Sequence, residues 1–189
     1  MKTMLKNRIK LLSLAVAAII LSVSSCKKND DELPEVEENE LITTVRLKFT
    51  NKANASDVKL FTWKDPDGQG GNNPVIDEIV LAANSVYKME IDAILNEAET
   101  PTGNIRGEVA EEADDHLFVF KPAPANIITI TITDKDSKNL PVGLASDAVT
   151  TATGTGTLQV ILRHQPDSKN GTEAPGSTDL DATFNVKVQ

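Results

Sequence analysis

The feature that most constrains the fold is an alternation of apolar and polar side chains that recurs from residue 41 to the end of the chain. The clearest run is Ile128–Thr133, in which isoleucine and threonine alternate without interruption. Because successive side chains of a β-strand point to opposite faces, a period of two predicts strands with one buried face. The same pattern predicts four further strands: Leu41–Thr50, Tyr87–Leu95, Thr157–Arg163 and Leu180–Val188.

Three weaker strand candidates share the β-branched and aromatic composition of the clear ones: Asp57–Trp63, Val75–Leu81 and Leu117–Phe120. Clusters rich in glycine, proline, asparagine and aspartate separate the strands, and Asp134–Asn139 is predicted as one such turn. About eight short strands with this punctuation are typical of a sandwich. We therefore expect an all-β fold, an antiparallel β-sandwich of the immunoglobulin or transthyretin kind, over residues 41–189. The only helix candidate is a short one around Val109–Asp114, which is equally compatible with a loop.

The amino terminus has the composition of a secretory signal peptide. Four basic side chains lie within residues 1–10, without an acidic one, and the apolar run Leu11–Leu21 follows, interrupted by Ser13. A permanent membrane span needs about 20 consecutive apolar residues, so this run is too short to be one. Residues 1–25 are therefore predicted to be a signal peptide.

The segment Val23–Cys26 resembles a bacterial lipobox, in which an aliphatic residue and two small residues precede a cysteine. The resemblance implies that Cys26 is acylated and becomes the first residue of the mature protein. The alternative is an ordinary signal peptide with an incidental cysteine. Cys26 is the single cysteine of the chain, which excludes an internal disulfide and a thiolate zinc cluster. Several acyl chains on one residue would give stable membrane attachment.

Residues 26–40 are rich in acidic side chains and contain Pro34. Such a segment buries too little apolar area to fold, so we expect a solvated tether. The segment also resembles the export signal of Bacteroidota-type surface lipoproteins, which implies the cell surface, with the periplasmic face of the outer membrane as the alternative. Removing residues 1–25 takes away four basic side chains and changes the formal net charge from −9 to −13. This charge argues against a nucleic-acid partner, whose phosphates need a basic face.

Both histidines are predicted to lie at strand ends. His116 precedes Leu117–Phe120, and His164 directly follows the strand that ends at Arg163. If the two meet at one end of the sandwich, Glu112 and Asp115 lie close by in sequence. Two imidazoles with one or two carboxylates suit zinc or a related divalent ion. The alternative is a pair of rim histidines beside a solvated acidic patch, without a bound ion.

The segment Asp65–Gly71 resembles the start of a calcium loop, with Asp65 and Asp67 as the candidate ligands. The pattern is incomplete, because a calcium loop carries a glutamate at its twelfth position and Glu78 is the fourteenth residue from Asp65. A glycine-rich turn that binds no calcium is the alternative interpretation.

Signatures of catalysis are absent from the sequence. It contains no GxSxG, HExxH, P-loop or GxGxxG motif, and lipidation would use the only cysteine. We therefore expect a protein that is not an enzyme. A sandwich-fold hydrolase with paired carboxylates is the less favoured alternative.

Four segments together resemble a small family of Bacteroidota-type envelope lipoproteins: Asp65–Val75, Glu111–His116, Leu162–Pro166 and Gly176–Phe184. Members of that family are labelled as type 1 periplasmic-binding-fold proteins and occur beside TonB-dependent outer-membrane receptors. The label implies a two-lobed α/β fold, which the length and the alternation of this chain contradict. The receptor association implies nutrient capture, and together with the two histidines it leads us to expect a non-catalytic binding accessory for uptake of a metal or another solute. The alternative is a structural or adhesive surface lipoprotein that binds another envelope protein.

Overall fold

The computed structural model describes residues 41–68, 71–97 and 105–189. These residues are mostly β-structure with one short helix, so the predicted all-β sandwich class is confirmed. The predicted signal peptide, Cys26 and the acidic tether lie outside the described residues. Among the helices that are described, none is long and apolar enough to cross a membrane.

Ten strands and one helix are described: β1 (Thr44–Asn51), β2 (Val58–Lys64), β3 (Val75–Ile76), β4 (Ile79–Leu81), β5 (Val86–Leu95), α1 (Ile105–Glu111), β6 (His116–Ala123), β7 (Ile128–Ile132), β8 (Ala145–Thr150), β9 (Gly154–His164) and β10 (Ser177–Val188). They form a six-stranded sheet in the order β3-β2-β1-β5-β8-β7 and a four-stranded sheet in the order β4-β10-β9-β6. All described elements belong to one compact unit.

The alternation of β10 shows how the sequence forms the core. Its apolar residues from Leu180 to Val188 are all buried, and every residue between them is exposed. Phe184 packs in one core with Phe49, Tyr87 and Phe118 from other strands, and all four side chains are fully buried. Each such side chain contributes about 1.5–3 kcal/mol by leaving water, so the two facing sheets stabilise each other.

The strand count exceeds the expected eight. Strand β8 was not predicted, because its buried positions include the polar residues Ser146 and Thr150 while Val149 is exposed. The single candidate Val75–Leu81 is divided between β3 in the larger sheet and β4 in the smaller one. Strand β4 runs parallel to β10, so the smaller sheet is mixed rather than purely antiparallel. Helix α1 begins four residues before the expected helix and overlaps it at Val109–Glu111.

In the described strands, two β-bulges interrupt the alternation. In β5, Asp92 is skipped by the pairing with β1, so that Ile94 becomes fully buried and Leu95 only half-buried. The prediction that Leu95 continues the inner face of β5 is therefore wrong. In β10, the pairing with β9 skips Asp179. A bulge commonly redirects a side chain, and here it precedes the regular alternation that starts at Leu180.

Candidate metal centre

His116 and His164 lie side by side at one end of the smaller sheet. They are direct partners in the antiparallel pairing of β6 with β9. Their rings stack with centroids 4.8 Å apart and planes inclined by 11°. The structure therefore brings together the two histidines, whose meeting the sequence left open. The lone pair of an imidazole lies in its ring plane, so at least one of these stacked rings must rotate before both can bind the same ion.

Glu112 joins the two histidines to form a group of three possible metal ligands. One ligand atom from each of Glu112, His116 and His164 lies within 4.8 Å of the other two. Glu112 follows α1, and its backbone N–H donates to the carbonyl of Glu108 at 2.8 Å, which continues the last helical turn. The helix thereby places Glu112 next to the first residue of β6. Since His116 is buried and Glu112 is exposed, the group is open to solvent from the helix side.

A backbone contact fixes the orientation of the His116 ring. Its Nδ1 lies 3.1 Å from the carbonyl oxygen of Glu112. A carbonyl can only accept a hydrogen bond, so Nδ1 carries the hydrogen and the neutral ring keeps its lone pair on Nε2. A backbone carbonyl that holds the second ring nitrogen in this way is the usual support of a metal-binding histidine.

The environment of His116 favours the neutral ring. Its side chain is 1% exposed. Burial lowers the pKa of His116 below its ordinary value, although the hydrogen bond to the Glu112 carbonyl acts in the opposite direction. The nearby His164 ring adds to the lowering, whereas Asp179 and Glu112 oppose it.

The sequence pattern did not single out Asp179, which lies close to the histidines. Its Oδ2 is 3.9 Å from Nε2 of His116, and its side chain is 1% exposed. A regular alternation from Leu180 backwards would place Asp179 on the outer face together with the exposed Asp181. The bulge places Asp179 and Leu180 on the inner side instead. No local signal in the sequence marks this bulge.

The other predicted ligands either lie outside this group or accept hydrogen bonds from a turn. Asp115 does not belong to the group of possible ligands found in the described part of the chain. Asp67 accepts hydrogen bonds from the backbone and side-chain nitrogens of Asn72, at 2.9 and 2.7 Å, which is what the turn interpretation predicts. These hydrogen bonds hold the pKa of Asp67 below its usual value. Asp65 is buried, and a calcium site at this pair stays a prediction.

A buried ion pair holds the segments around the histidines together. The Nζ atom of Lys169 donates to the carbonyl of Ala113 at 2.7 Å and lies 2.8 Å from Oδ2 of Asp136. Both side chains are 0% exposed. Gln165 adds a second connection, because its backbone N–H donates to the carbonyl of Asp115 at 2.6 Å. The loop after β9, the turn around Asp136 and the segment between α1 and β6 are thus fixed to one another.

Gly176 permits the chain to approach His164 closely. Its φ is +78°, and a β-carbon there would overlap the backbone carbonyl of His164. We expect Gly176→Ala to lower the free energy of unfolding by about 2–3 kcal/mol, because the left-handed conformation alone costs about 1–2 kcal/mol for other residues. Urea denaturation measures the loss.

Gly154→Ala is the matched control for Gly176→Ala. A β-carbon at Gly154 would meet only the end of the Ile127 side chain, at 3.2 Å, and the φ of Gly154 is not positive. We expect its stability to change by about 0.5 kcal/mol or less. Equal stability of the two variants would show that the approach to His164 is not constrained.

Comparison with known proteins gives no further assignment. No protein-family model matches this chain, and no curated protein is similar to it in sequence. Function is therefore inferred from the residues themselves.

Proposed function

We propose that this protein is a lipid-anchored, non-catalytic binding protein of the outer membrane that holds a divalent metal ion. Its place in the cell is that of an accessory to a TonB-dependent receptor in metal uptake. The predicted lipobox at Cys26 and the acidic tether support the anchored location. The resemblance to lipoproteins that occur beside such receptors supports the link to uptake.

The observation that carries the metal assignment is the group formed by Glu112, His116 and His164. Imidazole nitrogens and a carboxylate oxygen are the donors that zinc and related ions prefer. The group includes a buried histidine whose Nδ1 is already held by a carbonyl, and an exposed glutamate through which an ion can enter. A metal-binding protein needs ligand atoms that an ion can reach from solvent, and it needs no nucleophile.

Calorimetric titration of the purified full-length protein in detergent with zinc chloride tests this function. We expect one ion per chain. His116→Ala and His164→Ala should each weaken binding at least about 100-fold, because each removes a ligand, and losing only a supporting contact already costs about 10–100-fold. Glu112→Ala should weaken binding less, because its exposed carboxylate can be replaced by water.

Asp115→Ala is the matched control, since it removes a carboxylate next to His116 that is not part of the group. It should bind zinc as the wild type does. If no divalent ion binds the wild type, or if both histidine variants bind zinc normally, the metal assignment is wrong.

A second candidate function is a structural or adhesive role toward another envelope protein. It is favoured by exposed apolar side chains on two neighbouring strands, Val58 and Leu60 on β2 and Val75 on β3, which are 46%, 51% and 72% exposed. Exposed apolar patches often mark contacts between proteins. Receptor co-purification that is lost in Leu60→Ser and is insensitive to a chelator, together with silent metal titrations, would favour this function.

A further inference from the structure

The carboxylate of Asp179 lies beside His116, outside the group of three possible ligands formed by Glu112, His116 and His164. Asp179 belongs to β10, whereas His164 belongs to β9 and His116 to β6, so three neighbouring strands contribute to one place. The bulge in β10 gives Asp179 its inward direction, and its neighbour Asp181 remains exposed on the outer face. The two aspartates of β10 therefore differ in environment, since the side chain of Asp179 is buried and Asp181 is exposed.

The atoms of Asp179 and His116 face each other as two electron-pair donors. Because Nδ1 of His116 carries the hydrogen, the lone pair lies on Nε2, and this atom is 3.9 Å from Oδ2 of Asp179. A tetrahedral ion with bonds of about 2.0–2.1 Å needs donor atoms about 3.3–3.4 Å apart. The two atoms must approach each other by roughly half an ångström to reach that separation, and Asp179 must also approach the other ligands, because it lies outside the group whose ligand atoms are all within 4.8 Å of one another.

The donor types indicate which ions fit. Two imidazoles favour zinc, copper, nickel or iron, whereas calcium and magnesium prefer sites made entirely of oxygen. Two carboxylates with two neutral imidazoles also carry two negative charges, which balance one divalent cation. Four protein ligands in this combination match the coordination number of zinc.

We propose that Asp179 is a direct ligand that, with Glu112, His116 and His164, completes a four-ligand site selective for a zinc-like transition ion over calcium. This inference rests on the proposed metal-binding function and deepens it by naming the fourth ligand and the class of ion.

The test compares Asp179→Asn with Asp181→Asn in the full-length protein, each titrated with zinc chloride and with calcium chloride. Asparagine keeps the shape of aspartate and removes its charge. We expect Asp179→Asn to bind zinc at least about 30-fold more weakly than the wild type, since loss of a direct ligand costs at least as much as loss of a supporting group. Asp181 is exposed and contacts Gln159, so Asp181→Asn should bind zinc like the wild type. Calcium should bind none of the proteins tightly.

Each outcome separates this inference from the function on which it rests. Zinc binding by the wild type with unchanged affinity in Asp179→Asn overturns Asp179 as a ligand and leaves the metal function standing. Calcium binding as tight as zinc binding overturns the ion class, and no metal binding by the wild type overturns both proposals. If Asp179→Asn does not fold, a crystal structure of the wild type with zinc decides. A zinc–oxygen distance of about 2.0–2.2 Å to Asp179 supports the inference, and an intervening water overturns it.

Discussion

Lys169→Met is expected to lower the free energy of unfolding by about 2–3 kcal/mol, because it leaves Oδ2 of Asp136 shielded from water without its counter-charge, while two backbone N–H groups still bind Oδ1. Both side chains of this pair are completely buried, and Nζ of Lys169 lies 2.8 Å from Oδ2 of Asp136. A domain of this size is stable by about 5–15 kcal/mol, so the loss is a large part of the total. Urea denaturation of the metal-free protein measures it.

Lys52→Met is the matched control, because Lys52 forms a similarly short ion pair with Asp147, at 2.6 Å, but their side chains are 45% and 37% exposed. Removing a surface pair costs about 1 kcal/mol or less. The double variant Lys169→Met/Asp136→Asn should recover most of the lost stability, since no buried charge remains. A loss in Lys169→Met no larger than that in Lys52→Met would contradict the importance of the buried pair.

The same pair predicts how stability depends on pH. Burial alone would raise the pKa of Asp136, but the hydrogen bond from Lys169 and the backbone N–H groups of Leu140 and Lys138 hold it below its usual value. A carboxylate whose pKa is lowered by folding stabilises the protein above its unfolded pKa of about 3.9 and loses that contribution as the pH falls through the folded value. Wild-type protein should therefore lose stability in this acidic range more steeply than the Lys169→Met/Asp136→Asn variant.

Cys26→Ser is expected to abolish lipidation and stable membrane attachment. Serine lacks the thiol that acylation requires, and each buried methylene of an acyl chain contributes about 0.8 kcal/mol to membrane binding, so losing several chains removes the anchor. Labelling with an alkyne fatty acid in the native host should mark the wild type and leave the variant unlabelled. In detergent phase partition, the wild type should enter the detergent phase and the processed variant the aqueous phase.

Ser24→Ala is the control for the lipobox, because it keeps a small side chain before the cysteine and should be labelled like the wild type. Fatty-acid labelling of Cys26→Ser at the wild-type level would show that the anchor is not at this residue. Loss of labelling in both variants would instead indicate a requirement at Ser24 that the small-residue pattern does not predict.

Period-two alternation predicts strands reliably where the outer residues are polar. Strand β10 follows the pattern from Leu180 to Val188, and β7 follows it over its whole length. The alternation does not predict strand β8, because its buried Ser146 is polar and its exposed Val149 is apolar. The bulge at Asp92 could not be predicted either, because one extra residue in a strand moves the following side chains to the opposite face of the sheet without changing the composition of the strand.

The sequence predicted those residues of the candidate site that lie at the ends of predicted strands. His116 and His164 each adjoin a predicted strand, the weaker candidate Leu117–Phe120 and the clear one Thr157–Arg163, which placed both at strand ends, and pairing of β6 with β9 made them neighbours. The position of Asp179 beside His116 depends on a bulge in β10. The position of Lys169 beside Asp136 depends on the path of a long loop, which no local sequence pattern predicts. Asp134–Asn139 was predicted as a turn, and Asp136 does accept backbone hydrogen bonds from Lys138 and Leu140. Its buried partner Lys169 lies far away in sequence.

The order of the smaller sheet gives the histidine pair one more consequence. Among the described strands, β6 lies at an edge of the smaller sheet and pairs with β9 alone, and His116 is its first residue. An ion shared with His164 would link the start of this edge strand to the inner strand β9. Metal occupancy would then protect the first residues of β6 against fraying, whereas further along the strand the N–H of Phe118 already donates to the carbonyl of Val142 at 2.7 Å.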